Sequence, residues 1–103
     1  MKSLTNRNFD RNIRRSKYAA VLFFANCCGP CKMAKEIFVR ASQARKNVSF
    51  FTVNADDEEL LAKRCHVEIL PAILFFSQGE ITVARYGISA GKSIEDTLDS
   101  LIK

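Results

Sequence analysis

The chain has 103 residues, 48% of them apolar, with a formal net charge of +5. That length suits one domain, residues 1–103, around one core. The longest apolar runs fall far short of the roughly 20 residues that a membrane-spanning helix needs, and no apolar stretch follows Met1-Lys2-Ser3-Leu4-Thr5-Asn6 to make an export signal.

Taken in chain order, a short strand is predicted near Lys2–Leu4. Thr5 is placed to cap a helix to about Arg15, with Phe9 and Ile13 four apart on its buried face. Residues 1–17 hold Lys2, Arg7, Arg11, Arg14, Arg15 and Lys17 against Asp10 alone, which is the whole charge excess. This segment reads as the wet face of the first helix. No aromatics alternate with the cations as a base-stacking platform would require, so no nucleic-acid partner is expected. A basic, acid-poor start also matches a mitochondrial transit peptide, but these residues are needed for the first strand and helix.

Ala19–Ala25 is a continuous apolar run, the pattern of a central strand covered on both faces. A helix is predicted from about Cys28 to Ala44, with Met33, Ala34, Ile37, Phe38 and Ala41 on one stripe. Val48–Asn54 is the next strand, and Asp56 or Asp57 caps a short helix to about Arg64. Ala72–Ser77 is a strand, Gln78-Gly79 a turn, and Ile81–Tyr86 the antiparallel return. A last helix, capped near Ser89, carries Ile94, Leu98, Leu101 and Ile102 on one face. The order β-α-β-α-β-α-β-β-α implies an α/β fold, a mixed sheet flanked by helices on both faces.

The four cysteines are Cys27, Cys28, Cys31 and Cys65, and three of them crowd one place. That is not the spread of a structural disulfide framework. Cys28-Gly29-Pro30-Cys31 falls between a predicted strand and a predicted helix. A thiolate is the reacting form of cysteine, and a helix N-terminus favours a negative sulfur at Cys28. Lys32 and Lys35 add positive charge that can tune its pKa. Cys31 is one turn further on, within reach of Cys28. Gly29 lets the backbone bend, and Pro30 fixes φ in the first turn, where its missing N–H costs little. The expected chemistry is exchange: Cys28 attacks a substrate disulfide and Cys31 resolves the mixed disulfide.

On these residues the sequence resembles the thioredoxin family along essentially its whole length. Cys28-Gly29-Pro30-Cys31-Lys32-Met33 is similar to the family active site, Phe23 and Ala25 to the strand before it, and Asp56 to an acidic position after the third strand. Pro71 resembles the cis-proline beside the dithiol, Gly79 the hairpin glycine, and Gly87 the glycine lining the substrate groove. The resemblance implies a thioredoxin fold and a protein-disulfide reductase recharged by a thioredoxin reductase-like donor. It implies no bound cofactor beyond the redox-active Cys28–Cys31 disulfide and no metal. Substrate backbone would pair at Leu70, in a groove shaped by Pro71, Gly87 and Cys27. A monomer in the cytoplasm, with no membrane partner, is the accompanying expectation.

The chain departs from the family pattern at several places. Leu22 replaces a buried aspartate that helps move the proton of the resolving cysteine, and Thr52 replaces its companion lysine. Cys27 stands where tryptophan precedes the motif, Phe24 where a second tryptophan is common, Glu36 where a proline kinks the helix, and Ala72 where threonine is common. Cys27 reads as a small apolar replacement and Cys65 as a packed helix residue. Zinc on Cys28, Cys31, Cys65 and His66 would need adjacent side chains to converge on one ion, and no second spaced ligand pair is present. The alternative function is a non-catalytic thioredoxin-fold binding or scaffold module.

Overall fold

The computed structural model describes residues 1–87, 89–92 and 94–102. In chain order the elements are β1 (Lys2–Ser3), α1 (Phe9–Arg15), β2 (Tyr18–Phe24), α2 (Gly29–Ala44), β3 (Ser49–Asn54), α3 (Glu59–Arg64), β4 (Ala72–Ser77), β5 (Glu80–Tyr86) and α4 (Ile94–Ile102). The strands make one sheet in the order β1-β3-β2-β4-β5. β1 and β2 run parallel to β3, β4 runs antiparallel to β2, and β5 antiparallel to β4.

The apolar run of β2 has the burial that such a run requires. Ala19, Ala20, Val21, Leu22 and Phe23 are all fully buried. Alternation sends them to opposite faces. Val21 and Phe23 join Phe9, Ile13 and Leu61, under α1 and α3. Ala20 and Leu22 join Phe38 and Leu98, under α2 and α4. Two core layers, one on each side of the sheet, therefore hold β2 rigidly. The loop with the dithiol leaves from its C-terminal end.

Element types and order match the sequence reading; the bounds of β1, β2, β3 and β5 differ by one residue, and the larger differences lie at helix starts and at Met33. α1 starts at Phe9, not after Thr5, because residues 5–8 close a turn. Asn8 and Phe9 donate their N–H groups to the Thr5 carbonyl (3.2 and 3.0 Å), and the Asn8 side chain accepts the Thr5 N–H (2.9 Å). α3 starts at Glu59, and neither Asp56 nor Asp57 caps it. Met33 faces water, at 65% exposure, while Ala34, Phe38 and Ala41 keep the buried stripe. α4 begins at Ile94, and Ser89 opens a turn instead of a helix, its carbonyl accepting the Lys92 N–H (2.9 Å).

Two turns position the loops around the site. Gln78 and Gly79 both have positive φ (56° and 84°), as a two-residue hairpin of the right twist demands. α3 ends with His66 in the left-handed region (φ 57°). Val67 donates its N–H to the Ala62 carbonyl and His66 to that of Lys63 (2.9 and 3.0 Å), the two bonds of a Schellman motif with histidine in the usual glycine place. That ending turns the chain back toward the start of β4.

Candidate active site

Strand register gathers four loops at one end of the sheet. Phe24, the last residue of β2, is level with Asn54, the last of β3. Phe23 pairs with Ala72, the first residue of antiparallel β4, and Ala72 pairs with Tyr86, the last of β5. The segments 25–28, 55–58, 69–71 and 87 therefore emerge side by side. Cys28 is on the first of them, Pro71 on the third, and Gly87 follows β5.

Cys28 and Cys31 are joined in a disulfide with Cα atoms 5.3 Å apart. Cys28 is the N-cap residue of α2, in extended backbone, and Pro30 lies within the first turn. That turn contains no acidic residue. Cys28 is half-buried, whereas Cys31 is 4% exposed. Cys28 is therefore the more accessible residue of the pair. A cavity of about 280 Å³ opens beside the pair, lined by Phe24, Ala25, Asn26, Cys28, Cys31, Lys32 and Lys35. The Lys35 ammonium lies 4.8 Å from the centre of the Phe24 ring. This cation–π contact fixes a positive charge on the wall of the dithiol cavity.

The loop before Cys28 is held by a polar network that the sequence did not reveal. Asn26 donates its backbone N–H to the Asp56 carboxylate (3.0 Å). The Asn54 amide donates to the Asn26 side-chain oxygen (3.1 Å), and Asp56 donates its N–H to the Asn54 side chain (2.9 Å). Ala55 donates to the Phe24 carbonyl (2.7 Å), extending the strand pairing by one step. Asp56 thus braces the dithiol loop rather than capping α3. Two asparagines at the ends of adjacent segments were the available signal.

The Leu70–Pro71 peptide is cis, and Pro71 is buried. Gly87, at φ 81°, donates its N–H to the Pro71 carbonyl (2.8 Å). A side chain there would need the left-handed backbone that glycine adopts freely. Among the described residues, neither the N–H nor the C=O of Leu70 has a backbone partner outside regular structure. Cys27 is an exposed free thiol. Cys65 lies apart from the dithiol, half-buried against the α1/α3 layer, and burial pushes its thiol up from the ordinary value. His66 is exposed on the α3 ending. Among the described residues, no group of three His, Cys, Asp or Glu side chains is arranged to hold a metal ion.

A Cys-x-x-Cys disulfide at the N-terminus of a helix, projecting from a mixed α/β sheet of this strand order, defines a dithiol–disulfide exchange protein. The family model described as thioredoxin matches residues 1–100. The thioredoxin of Mycoplasmoides gallisepticum is 29% identical over 99 residues, covering 95% of this chain and 99% of that protein. Human thioredoxin is 35% identical over 86 residues, covering 84% and 81%. The oxidised mitochondrial thioredoxin 3 of Saccharomyces cerevisiae superposes with a TM-score of 0.91 at 25% identity, covering 98% of this chain and 95% of that one. The chain belongs to the thioredoxin family. Its activity is thiol–disulfide oxidoreduction of the protein-disulfide reductase type. Proteins of this family act on protein disulfides, draw on a reductase and need no cofactor beyond their own redox disulfide. No helix among the described residues is long and apolar enough to cross a membrane.

Proposed function

We propose that Cys28 is the attacking thiol and Cys31 the resolving thiol. The observation that carries this assignment is the asymmetry of the bonded pair: Cys28 is the more exposed residue, at the N-cap of α2, and Cys31 is buried. In the reduced protein the Cys28 thiolate forms a bond to one sulfur of a substrate cystine. The substrate S–S bond breaks, and its second sulfur leaves as a thiolate that takes up a proton. Cys31 then bonds to the Cys28 sulfur, and the first substrate sulfur leaves. The substrate gains two electrons and two protons, and the protein is left with the Cys28–Cys31 disulfide. A thioredoxin reductase-like donor returns it to the dithiol.

The helix N-terminus stabilises the Cys28 thiolate, and the Lys32 and Lys35 charges beside it act in the same sense. Gly29 and Pro30 shape the first turn. Substrate backbone docks along Leu70, Pro71 and Gly87, with Cys27 on the rim. Support for this groove is the register that puts those segments beside the dithiol loop, together with the unpaired Leu70 backbone among the described residues. With Leu22 at the position of the proton-handling carboxylate, the Cys31 proton passes to the leaving sulfur or to solvent. The protein works as a monomer of one domain, residues 1–103, in the cytoplasm, with no metal.

The test is turnover of a protein disulfide with thioredoxin reductase and NADPH. Turnover is expected to persist in Cys27→Ser and Cys65→Ser and to vanish in Cys28→Ser. Cys31→Ser is expected to accumulate the mixed disulfide at Cys28. Full turnover by Cys28→Ser would overturn the assignment.

A further inference from the structure

Beyond the dithiol cavity, the outer face of α2 carries a second groove, of about 430 Å³, lined by Lys32, Lys35, Glu36, Val39, Arg40 and Gln43. Lys32 and Lys35 line both spaces, so the groove adjoins the dithiol cavity. Neither lining includes Leu70, Pro71 or Gly87. The groove therefore leaves the dithiol by a different route from the proposed backbone-docking segments.

Its charge is one-sided. Three cations face one carboxylate, Glu36. Lys32, Lys35, Glu36 and Arg40 are exposed. Among the described residues, the ion pairs are those of Arg45 with Glu95 and Asp99 and of Arg64 with Asp10, so the three cations of the groove engage no carboxylate of the protein itself. Lys35 is also held in place by the Phe24 ring, which lowers the conformational cost of using it as a fixed contact.

We propose that this groove selects protein disulfides whose flanking sequence is acidic, with Lys35 and Arg40 as specificity-determining residues. The inference rests on the exchange site assigned to Cys28. Helical rise of about 1.5 Å per residue places the backbones of Lys35 and Arg40 about 10 and 18 Å along α2 from Cys28, while the Lys35 ammonium reaches back to the Phe24 ring on the wall of the dithiol cavity. An extended substrate advances about 3.3 Å per residue, so Lys35 meets side chains within about three residues of the attacked cysteine and Arg40 those about five residues away. Aspartate or glutamate at those places supplies the carboxylates that the groove lacks. Pairing of this kind acts mainly on encounter and on the choice of partner.

The experiment compares synthetic peptides with one intramolecular cystine. They carry Asp, Asn or Lys three and five residues from the target cysteine in both directions. The Asp peptide is expected to be reduced about three- to tenfold more efficiently than the Asn peptide at low ionic strength, and the gap to shrink in about 0.5 M salt. The double variant Lys35→Gln/Arg40→Gln removes the preference. The charge-matched double variant Arg14→Gln/Arg15→Gln, on α1, keeps it. Equal efficiencies for Asp and Asn peptides overturn the proposal. Equal loss of preference in the two double variants also overturns it, because net charge and not this groove then sets the choice. A protein that reduces none of the peptides lacks the exchange activity itself, which overturns the underlying reading rather than the acidic-flank assignment alone.

Discussion

Leu22 and Thr52 face each other across the parallel pairing of β2 with β3, and both are buried, Leu22 completely. By resemblance to the family, these two positions hold an aspartate and a lysine, and here both charges are gone. The paired replacement leaves an apolar side chain among Ala34, Phe38 and Ile73 in the α2/α4 layer. Neither charge can be restored alone without burying it unpaired.

The expected outcome for Leu22→Asp is a loss of about 3–5 kcal/mol in urea unfolding at neutral pH, the usual result of an uncompensated buried charge. Burial raises the pKa of the new carboxyl in the folded state above its ordinary value of about 3.9. The loss is therefore smallest below that value, where both states hold the proton, and grows as pH rises toward the raised folded value. Adding Thr52→Lys is expected to recover part of the loss. A Leu22→Asp protein as stable as the parent at pH 7 would show that water reaches this layer.

Asp56 is expected to govern the order of the dithiol loop. Asp56→Ala deletes the acceptor of the Asn26 N–H while leaving the Asn54–Asn26 side-chain bond in place. The bond is to a charged group but is exposed, so the stability change is about 1 kcal/mol. The more specific readout is hydrogen exchange. The Asn26 amide should exchange markedly faster in Asp56→Ala, and amides in the middle of β2 should not. Asp56→Asn, which keeps an acceptor oxygen, should show a smaller change. An Asn26 amide that exchanges at the parent rate in Asp56→Ala would remove Asp56 from the bracing role.

The sequence made the sheet legible because its strongest patterns are long-range in consequence. An apolar run such as Ala19–Phe23 has few alternatives to a central strand, and Ala72–Ser77 was read to the residue. The dithiol was legible for a related reason: a motif between a strand and a helix fixes its own surroundings. The start of α2 at Cys28 was legible, but those of α1 and α3 were not, because side chains able to cap were engaged elsewhere. Asp56 bonds the Asn26 N–H, 30 residues away, and Asn8 rather than Thr5 organises the turn before α1. Met33 was misplaced because it lies at the edge of the apolar stripe, where a shift of one residue moves a side chain from core to water. The Schellman ending at His66 lacked its glycine signal. Of the α2 groove only Lys32 and Lys35 were legible, as charges beside Cys28; its extension to Val39, Arg40 and Gln43 depends on how the helix packs.

Cys65 and Cys27 are expected to differ sharply as nucleophiles. Cys27 is exposed, whereas burial is the main cause that pushes Cys65 above its ordinary value of 9.0, with Asp10 adding to the rise and Arg64 opposing it. Under native conditions iodoacetamide should label Cys27 readily at pH 8 and Cys65 slowly, and denaturant should bring the two rates together. The same shift has a consequence for stability. Below the ordinary thiol value both the folded and unfolded chains keep the Cys65 proton, so the residue adds no pH dependence. Above it the unfolded chain gives up the proton first, and stability falls as pH rises toward the folded value. Cys65→Ala should flatten that alkaline decline while leaving the slope below pH 8 unchanged. If Cys65 is labelled as fast as Cys27 in the folded protein, then its burial is only transient, and the packed role assigned to it in the α1/α3 layer is wrong.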